Sequence, residues 1–200
     1  GEGKTFCSMN IASIFALSGK KTVLIGADLR KPKLELEFKS ENKSGLSNYL
    51  INKSTLKEIT NKTEVENLDI IFSGPTPPNP AELLDSTKMQ ELIKKLNIEY
   101  DYVIIDTPPI GLVTDGVILM KNADINLYVV RHNYTKYQAL SVVNGLYNNK
   151  KVENLQIIIN DYQNDIGNYG YGYGYGYGYG YGYGYGYGGG YGYYEEDEKS

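Results

Sequence analysis

Five apolar runs punctuate the chain, at 22–27 (TVLIGA), 68–72 (LDIIF), 102–105 (YVII), 125–130 (INLYVV) and 155–159 (LQIII). They are rich in β-branched residues, and most lack a clean polar alternation. Strands covered on both faces of a sheet read this way. Between them lie helical patterns. Residues 5–17 carry Met9, Ile14 and Leu17 and end at Ser18–Gly19, a C-terminal stop. Residues 81–96 place Leu83, Leu84, Leu92, Ile93 and Leu96 on one broad face, after the breaker run GPTPPNP with Pro80 near the first turn. Residues 135–147 bring Leu140, Val143, Leu146 and Tyr147 together. Alternating strands and helices of these lengths imply right-handed crossovers. The expected fold is therefore α/β, a mostly parallel sheet with helices on both faces, its strand order left open.

The pattern stops near residue 165. From 167 to 194 the chain is almost wholly Tyr and Gly, and it then closes on Glu195, Glu196, Asp197 and Glu198. Of the 21 tyrosines, 13 fall between Tyr169 and Tyr194, so the phenols are concentrated outside the patterned region. Strict alternation has a strand's period, but glycine at every second position weakens a strand. Ordering each residue costs about 1–2 kcal/mol, and the segment has no aliphatic core to offset it. Two regions are expected: a folded α/β domain at 1–165 and a disordered low-complexity tail at 166–200. The first residue is Gly1, already inside a motif, so the chain reads as a piece of a longer protein.

Net charge is −4 with both signs interspersed, which gives no reason to expect a nucleic-acid partner. The single cysteine, Cys7, excludes a disulfide framework and a Cys-rich metal site within the chain, and fits a reducing cytoplasmic setting. No apolar run reaches the roughly 18–20 residues a membrane span needs.

The opening GEGKT is the second half of the pattern G-x-x-x-x-G-K-[ST]. Backbone N–H groups around Gly1 and Gly3, at the start of a helix, point at phosphate oxygens. Lys4 adds a positive charge for the β and γ phosphates, and Thr5 offers a hydroxyl to Mg²⁺. Two carboxylates strengthen the reading. Asp106 closes the run YVII and precedes Thr107–Pro108–Pro109, and Asp28 follows TVLIGA. Both lie at the C-terminal edge of a strand, where open α/β sheets bind ligands. Each alone reads more readily as a helix cap or loop residue. Together with G-K-T they predict an ATP·Mg²⁺ site with Thr5, Asp28 and Asp106 around the metal and Lys4, Asp28 and Asp106 carrying the chemistry.

Other residues carry less. Arg30, Lys31 and Lys33 form a basic patch that reads either as a phosphate or subunit contact or as a solvated turn. His132 has no sequence-adjacent partner and reads as incidental. Cys7 reads as a small buried hydrophobe. Asp115 reads as a helix cap after Thr114.

GEGKT, VLIGADLRKP, GPTPPNPAELL and YDYVIIDTPPIGLVTD together resemble the Walker A, Walker A′, linker and Walker B segments of the bacterial tyrosine kinases. These are autokinases of capsule and exopolysaccharide synthesis, related to the MinD/ParA ATPases. The likeness runs from Gly1 to about Asp161, and the tyrosine-rich tail matches in kind. It implies that the protein phosphorylates its own C-terminal tyrosines, each copy serving its neighbours in a homo-oligomer that separates as charge accumulates. It implies a membrane-spanning polysaccharide co-polymerase, upstream or on a partner, and a cognate tyrosine phosphatase. It also implies a place at the cytoplasmic face of the bacterial plasma membrane. Arg30 matches the arginine of the family's D-x-D-x-R segment, and Asn160 the position whose amide contacts adenine. One departure matters: the first Asp of that segment is Gly26 here, which leaves Asp28 and Asp106 as candidate bases. A MinD/ParA-like ATPase switch is the alternative.

Overall fold

The computed structural model describes residues 1–38, 44–110, 115–149 and 152–163. The readings of the Tyr/Gly tail and of Thr114 lie outside these residues. The described part belongs to one compact unit, Gly1–Gln163.

The elements are α1 (Lys4–Leu17), β1 (Thr22–Gly26), α2 (Leu34–Glu37), α3 (Leu46–Leu50), α4 (Leu56–Ile59), β2 (Thr60–Lys62) and β3 (Leu68–Ile71). There follow α5 (Pro80–Leu84), α6 (Thr87–Glu99), β4 (Tyr102–Asp106), α7 (Asp115–Met120), β5 (Asn126–Arg131), α8 (Tyr137–Asn148) and β6 (Leu155–Asn160). All five apolar runs form strands. β1 pairs in parallel with β3 on one side and β4 on the other, and β5 pairs in parallel with β6. The ladders form a four-stranded sheet in the order β2-β3-β1-β4 and a two-stranded sheet of β5 and β6.

Two features depart from the sequence expectation. β2 is an antiparallel edge strand on β3. Its sequence, TNK, is short and polar, and it is set by ladder bonds and the preceding α4 rather than by apolar burial. The single helix expected over 81–96 is two. Ser86 caps α6, its hydroxyl accepting from the Met89 N–H at 3.2 Å. A serine cap satisfies a helix's orphan N–H groups and so starts a new helix inside an unbroken apolar pattern.

The alternation along β1 builds both faces. Val23 and Ile25 enter one core with Leu46, Tyr49, Ile59, Met89, Leu92 and Leu96, drawn from α3, α4 and α6. Leu24 points the other way, into a core with Ala12 and Ala16 of α1, Leu34 of α2, and Ile70 and Phe72. Small Ala12 and Ala16 let α1 lie close on the sheet, while Ile14 and Leu17 are exposed. This packing fixes α1 over β1 and β4 with its N-terminus at the strands' C-terminal rim. Among the described residues no helix is long and apolar enough to cross a membrane.

Candidate nucleotide site

α1 begins immediately after Gly3, which adopts φ 91° and ψ 25°. That left-handed conformation favours glycine. It lets the loop turn sharply into the helix, whose first turn has no acidic residue and no side-chain cap. Orphan N–H groups and the positive end of the helix dipole therefore meet at one point, an arrangement suited to an anion.

Lys4 and Thr5 are the first helical residues. The Lys4 ammonium donates to Glu2 Oε2 at 2.9 Å, and this bond is the main reason the Glu2 carboxyl lies below its ordinary range. Thr5 Oγ1 donates to Asp106 Oδ2 at 2.8 Å across 101 positions of sequence. Ser8, one turn further on, brings its hydroxyl to 3.2 Å from the other oxygen, Oδ1, and to 3.0 Å from the Lys4 carbonyl.

Asp106 is buried at the end of β4, level with Gly26 at the end of β1. Burial raises its pKa above the ordinary carboxylate value. The bonds from Thr5 and Ser8 and the charge of Lys4 oppose that rise, and the charge of Asp28 adds to it. Asp28, half-buried two residues past β1, faces the same rim because β1 and β4 run parallel. Its Oδ1 accepts from the backbone N–H groups of Arg30 at 3.2 Å and Lys31 at 3.0 Å. The turn-capping reading of this residue is thus realised alongside its position at the site.

The candidate donors are hard oxygen: the Thr5 hydroxyl and the carboxylates of Asp106 and Asp28. Mg²⁺ typically takes one or two carboxylates and completes its shell with phosphate and water. The residues fit that ion when a nucleotide supplies the rest.

Lys33 extends toward the start of the loop, its Nζ 3.8 Å from where a Cβ on Gly1 would stand. Asn160 ends β6 and donates to the Glu2 carbonyl at 3.0 Å. Its amide lies on the phosphate-loop backbone, against Gly3, where a side chain would collide with it. Gly26 is packed as tightly: an added Cβ would stand 2.8 Å from Ser73 Oγ and 3.1 Å from Leu34 Cδ1. The His132 ring lies 5.0 Å from that of Tyr162, and burial raises the Cys7 thiol pKa. Asp115 opens α7.

Sequence reasoning missed Ser8 and Glu2. Ser8 was in principle legible, since Thr5 and Ser8 are three apart on a helix and share a face. Glu2 lay inside the motif but occupies one of its variable positions.

The AAA domain family matches residues 1–162. Among curated proteins, the tyrosine-protein kinase YwqD of Bacillus subtilis (strain 168) is 45% identical over 136 residues, 68% of this chain. The chain spans 57% of that relative's length. Among solved structures, the kinase domain of the Escherichia coli tyrosine kinase ETK superposes with a TM-score of 0.78 at 33% identity, covering 88% of this chain and 69% of that one. MinD from Pyrococcus horikoshii OT3, complexed with Mg-ADP, superposes with a TM-score of 0.63 at 24% identity, covering 78% of this chain and 63% of that one. This last likeness is one of fold.

Proposed function

The chain belongs to the AAA domain family and its relatives there are bacterial tyrosine kinases, and from this premise we propose that it transfers the γ-phosphoryl group of ATP to tyrosine. The observation that carries the reading is the 2.8 Å bond from Thr5 to Asp106, which joins the phosphate loop to a strand-terminal carboxylate.

The N-terminus of α1 and Lys4 hold the nucleotide's phosphates. Thr5, Asp106 and Asp28 would hold Mg²⁺, which when bound neutralises charge on the transferring group. The phenol oxygen attacks the γ-phosphorus, the bond to the β–γ bridging oxygen breaks, and ADP leaves with the electron pair. Asp28 takes the phenol proton, since both oxygens of Asp106 already face hydroxyls. Catalysis rests on positioning and charge rather than on a covalent intermediate.

The substrate in this reading is the tyrosine cluster at 169–194 of a neighbouring copy. Each phosphate adds about −1.5 to −2 charge, and many beside the acidic end drive the copies apart. The names of the relatives and the resemblance support a role in polysaccharide synthesis. That role takes place at the cytoplasmic face of the membrane, with a membrane-spanning co-polymerase and an opposing tyrosine phosphatase as partners.

The test is incubation with ATP and Mg²⁺ followed by mass spectrometry. Phosphate on residues 169–194, lost in Lys4→Met, is the expected result. A MinD-like ATPase switch is the second reading, favoured by the glycine at position 26, where the resembled segment carries an aspartate and an added Cβ would crowd Ser73 and Leu34. Phosphate released to water with no labelled tyrosine, in the presence of the partner segments, selects it.

A further inference from the structure

The two oxygens of Asp106 meet two hydroxyls from one face of α1, Thr5 on Oδ2 at 2.8 Å and Ser8 on Oδ1 at 3.2 Å. Helical geometry produces the pair: residues three apart are neighbours on the helix surface. α1 is set on β4 partly by Phe15, whose ring stacks on Tyr102 with centroids 3.8 Å apart. The hydroxyls therefore approach the carboxylate from a fixed direction.

Ser8 has one proton and two acceptors in reach, the Lys4 carbonyl at 3.0 Å and Asp106 Oδ1 at 3.2 Å. With Asp106 ionised, the carboxylate is the stronger acceptor, because a charge-assisted bond is roughly twice as strong as a neutral one. The alternative, back-bonding to a helical carbonyl, turns the hydroxyl's lone pairs toward a carboxylate oxygen. The proton thus goes to Oδ1.

We propose that Ser8 is a positioning residue for the magnesium site: its hydroxyl holds Asp106 Oδ1, so that Oδ2 stays aimed at Thr5 and at the cation those two would share. Thr5 serves the ion as well as the carboxylate, whereas Ser8 serves only the carboxylate. Removing Ser8 frees the carboxylate to turn about its terminal torsion, which is soft in aspartate. The loss falls on metal affinity, and contacts of this kind are worth about 10–100-fold. The inference rests on the nucleotide-site reading above and gives Ser8 a part in metal binding which that reading does not assign.

The experiment measures the affinity of a fluorescent ADP for the chain, with and without Mg²⁺, in wild type, Ser8→Ala and Ser8→Thr. Alanine favours helix, so α1 is retained, and a thermal melt of each variant checks it. The expected result is that Ser8→Ala binds Mg²⁺-free ADP as wild type does and needs roughly tenfold more Mg²⁺ to reach its Mg²⁺-bound affinity. Ser8→Thr, which keeps the hydroxyl, restores the wild-type Mg²⁺ dependence. A Mg²⁺ dependence unchanged in Ser8→Ala, or an equal loss with and without Mg²⁺, overturns the role of Ser8 and leaves the nucleotide site standing. A wild-type chain that does not bind ADP under any Mg²⁺ concentration overturns both.

Discussion

The side-chain amide of Asn160 donates to the carbonyl oxygen of Glu2 at 3.0 Å, tying the last residue of β6 to the phosphate loop across 158 positions of sequence. The same amide closes the space above Gly3, whose φ of 91° already disfavours any side chain. The resemblance gives Asn160 to adenine, and the geometry gives its amide a second duty, holding the loop in the conformation that presents its N–H groups.

Asn160→Ala removes that bond, and the expected loss is about 1 kcal/mol in urea denaturation, the usual net worth of one hydrogen bond. Gly3→Ala is costlier, since it adds left-handed strain of about 1–3 kcal/mol and a collision with the amide. The double variant should lose less than the sum, because removing the amide removes the collision. Strict additivity would show that the two positions do not communicate.

Much of this site was readable because strand direction does the work. Once 22–27 and 102–105 are taken as parallel strands, Asp28 and Asp106 must share a rim, and G-K-T at a helix start must face it. What the sequence could not show depends on tertiary partners. Asn160 and Glu2 meet only because β6 and the loop converge, and no local pattern encodes that. β2 is too short and polar to give an apolar signal. The break at Ser86 was hidden by a continuous apolar face over 81–96, which the cap overrode. Ser73 against Gly26 joins the end of β1 to the segment after β3, which become neighbours only through the sheet.

That last contact bears on the residue where the family's D-x-D-x-R segment carries its first aspartate. Gly26→Asp would push into Ser73 Oγ and into Leu34 Cδ1, a side chain of the core beneath α1. The expected cost is about 1–3 kcal/mol, as for other overpacked positions, read as a lowered melting temperature. Restoring the carboxylate should not raise tyrosine labelling. A stable, more active variant would show that the surroundings of Gly26 accommodate what they now exclude.

Glu2 holds the ammonium of Lys4 at 2.9 Å, so incoming phosphate must compete with a carboxylate for the same charge. Both side chains are partly solvated, which limits the pair's worth to at most about 1 kcal/mol. Glu2→Gln should leave stability nearly unchanged and tighten ADP binding by roughly 2- to 5-fold, equivalent to less than about 1 kcal/mol. Calorimetric titration decides it, and weaker binding would mean that Glu2 orients Lys4 toward phosphate instead of withholding it.

At Asp106 the proposed metal-ligand position carries an energetic cost. Burial raises its pKa in the folded protein above the ordinary carboxylate value, against the bonds from Thr5 and Ser8. Folding therefore favours the protonated form at this position. Its contribution to stability is fully present below the ordinary carboxylate pKa and is lost as pH rises through the folded value. At neutral pH without Mg²⁺ the ionised side chain opposes folding, and Asp106→Asn, which is neutral at every pH, should melt higher than wild type. The difference should shrink as pH is lowered toward the carboxylate range, where the wild-type side chain takes up its proton. Added ADP and Mg²⁺ should reverse the order, because the wild type gains more stability from the bound nucleotide and metal than the variant, which has lost a metal ligand. Melting curves at neutral and acidic pH, each with and without ADP and Mg²⁺, measure all of these effects. An asparagine variant that melts lower than wild type at neutral pH without Mg²⁺ would mean that the hydroxyls of Thr5 and Ser8 more than offset the cost of burying the charge.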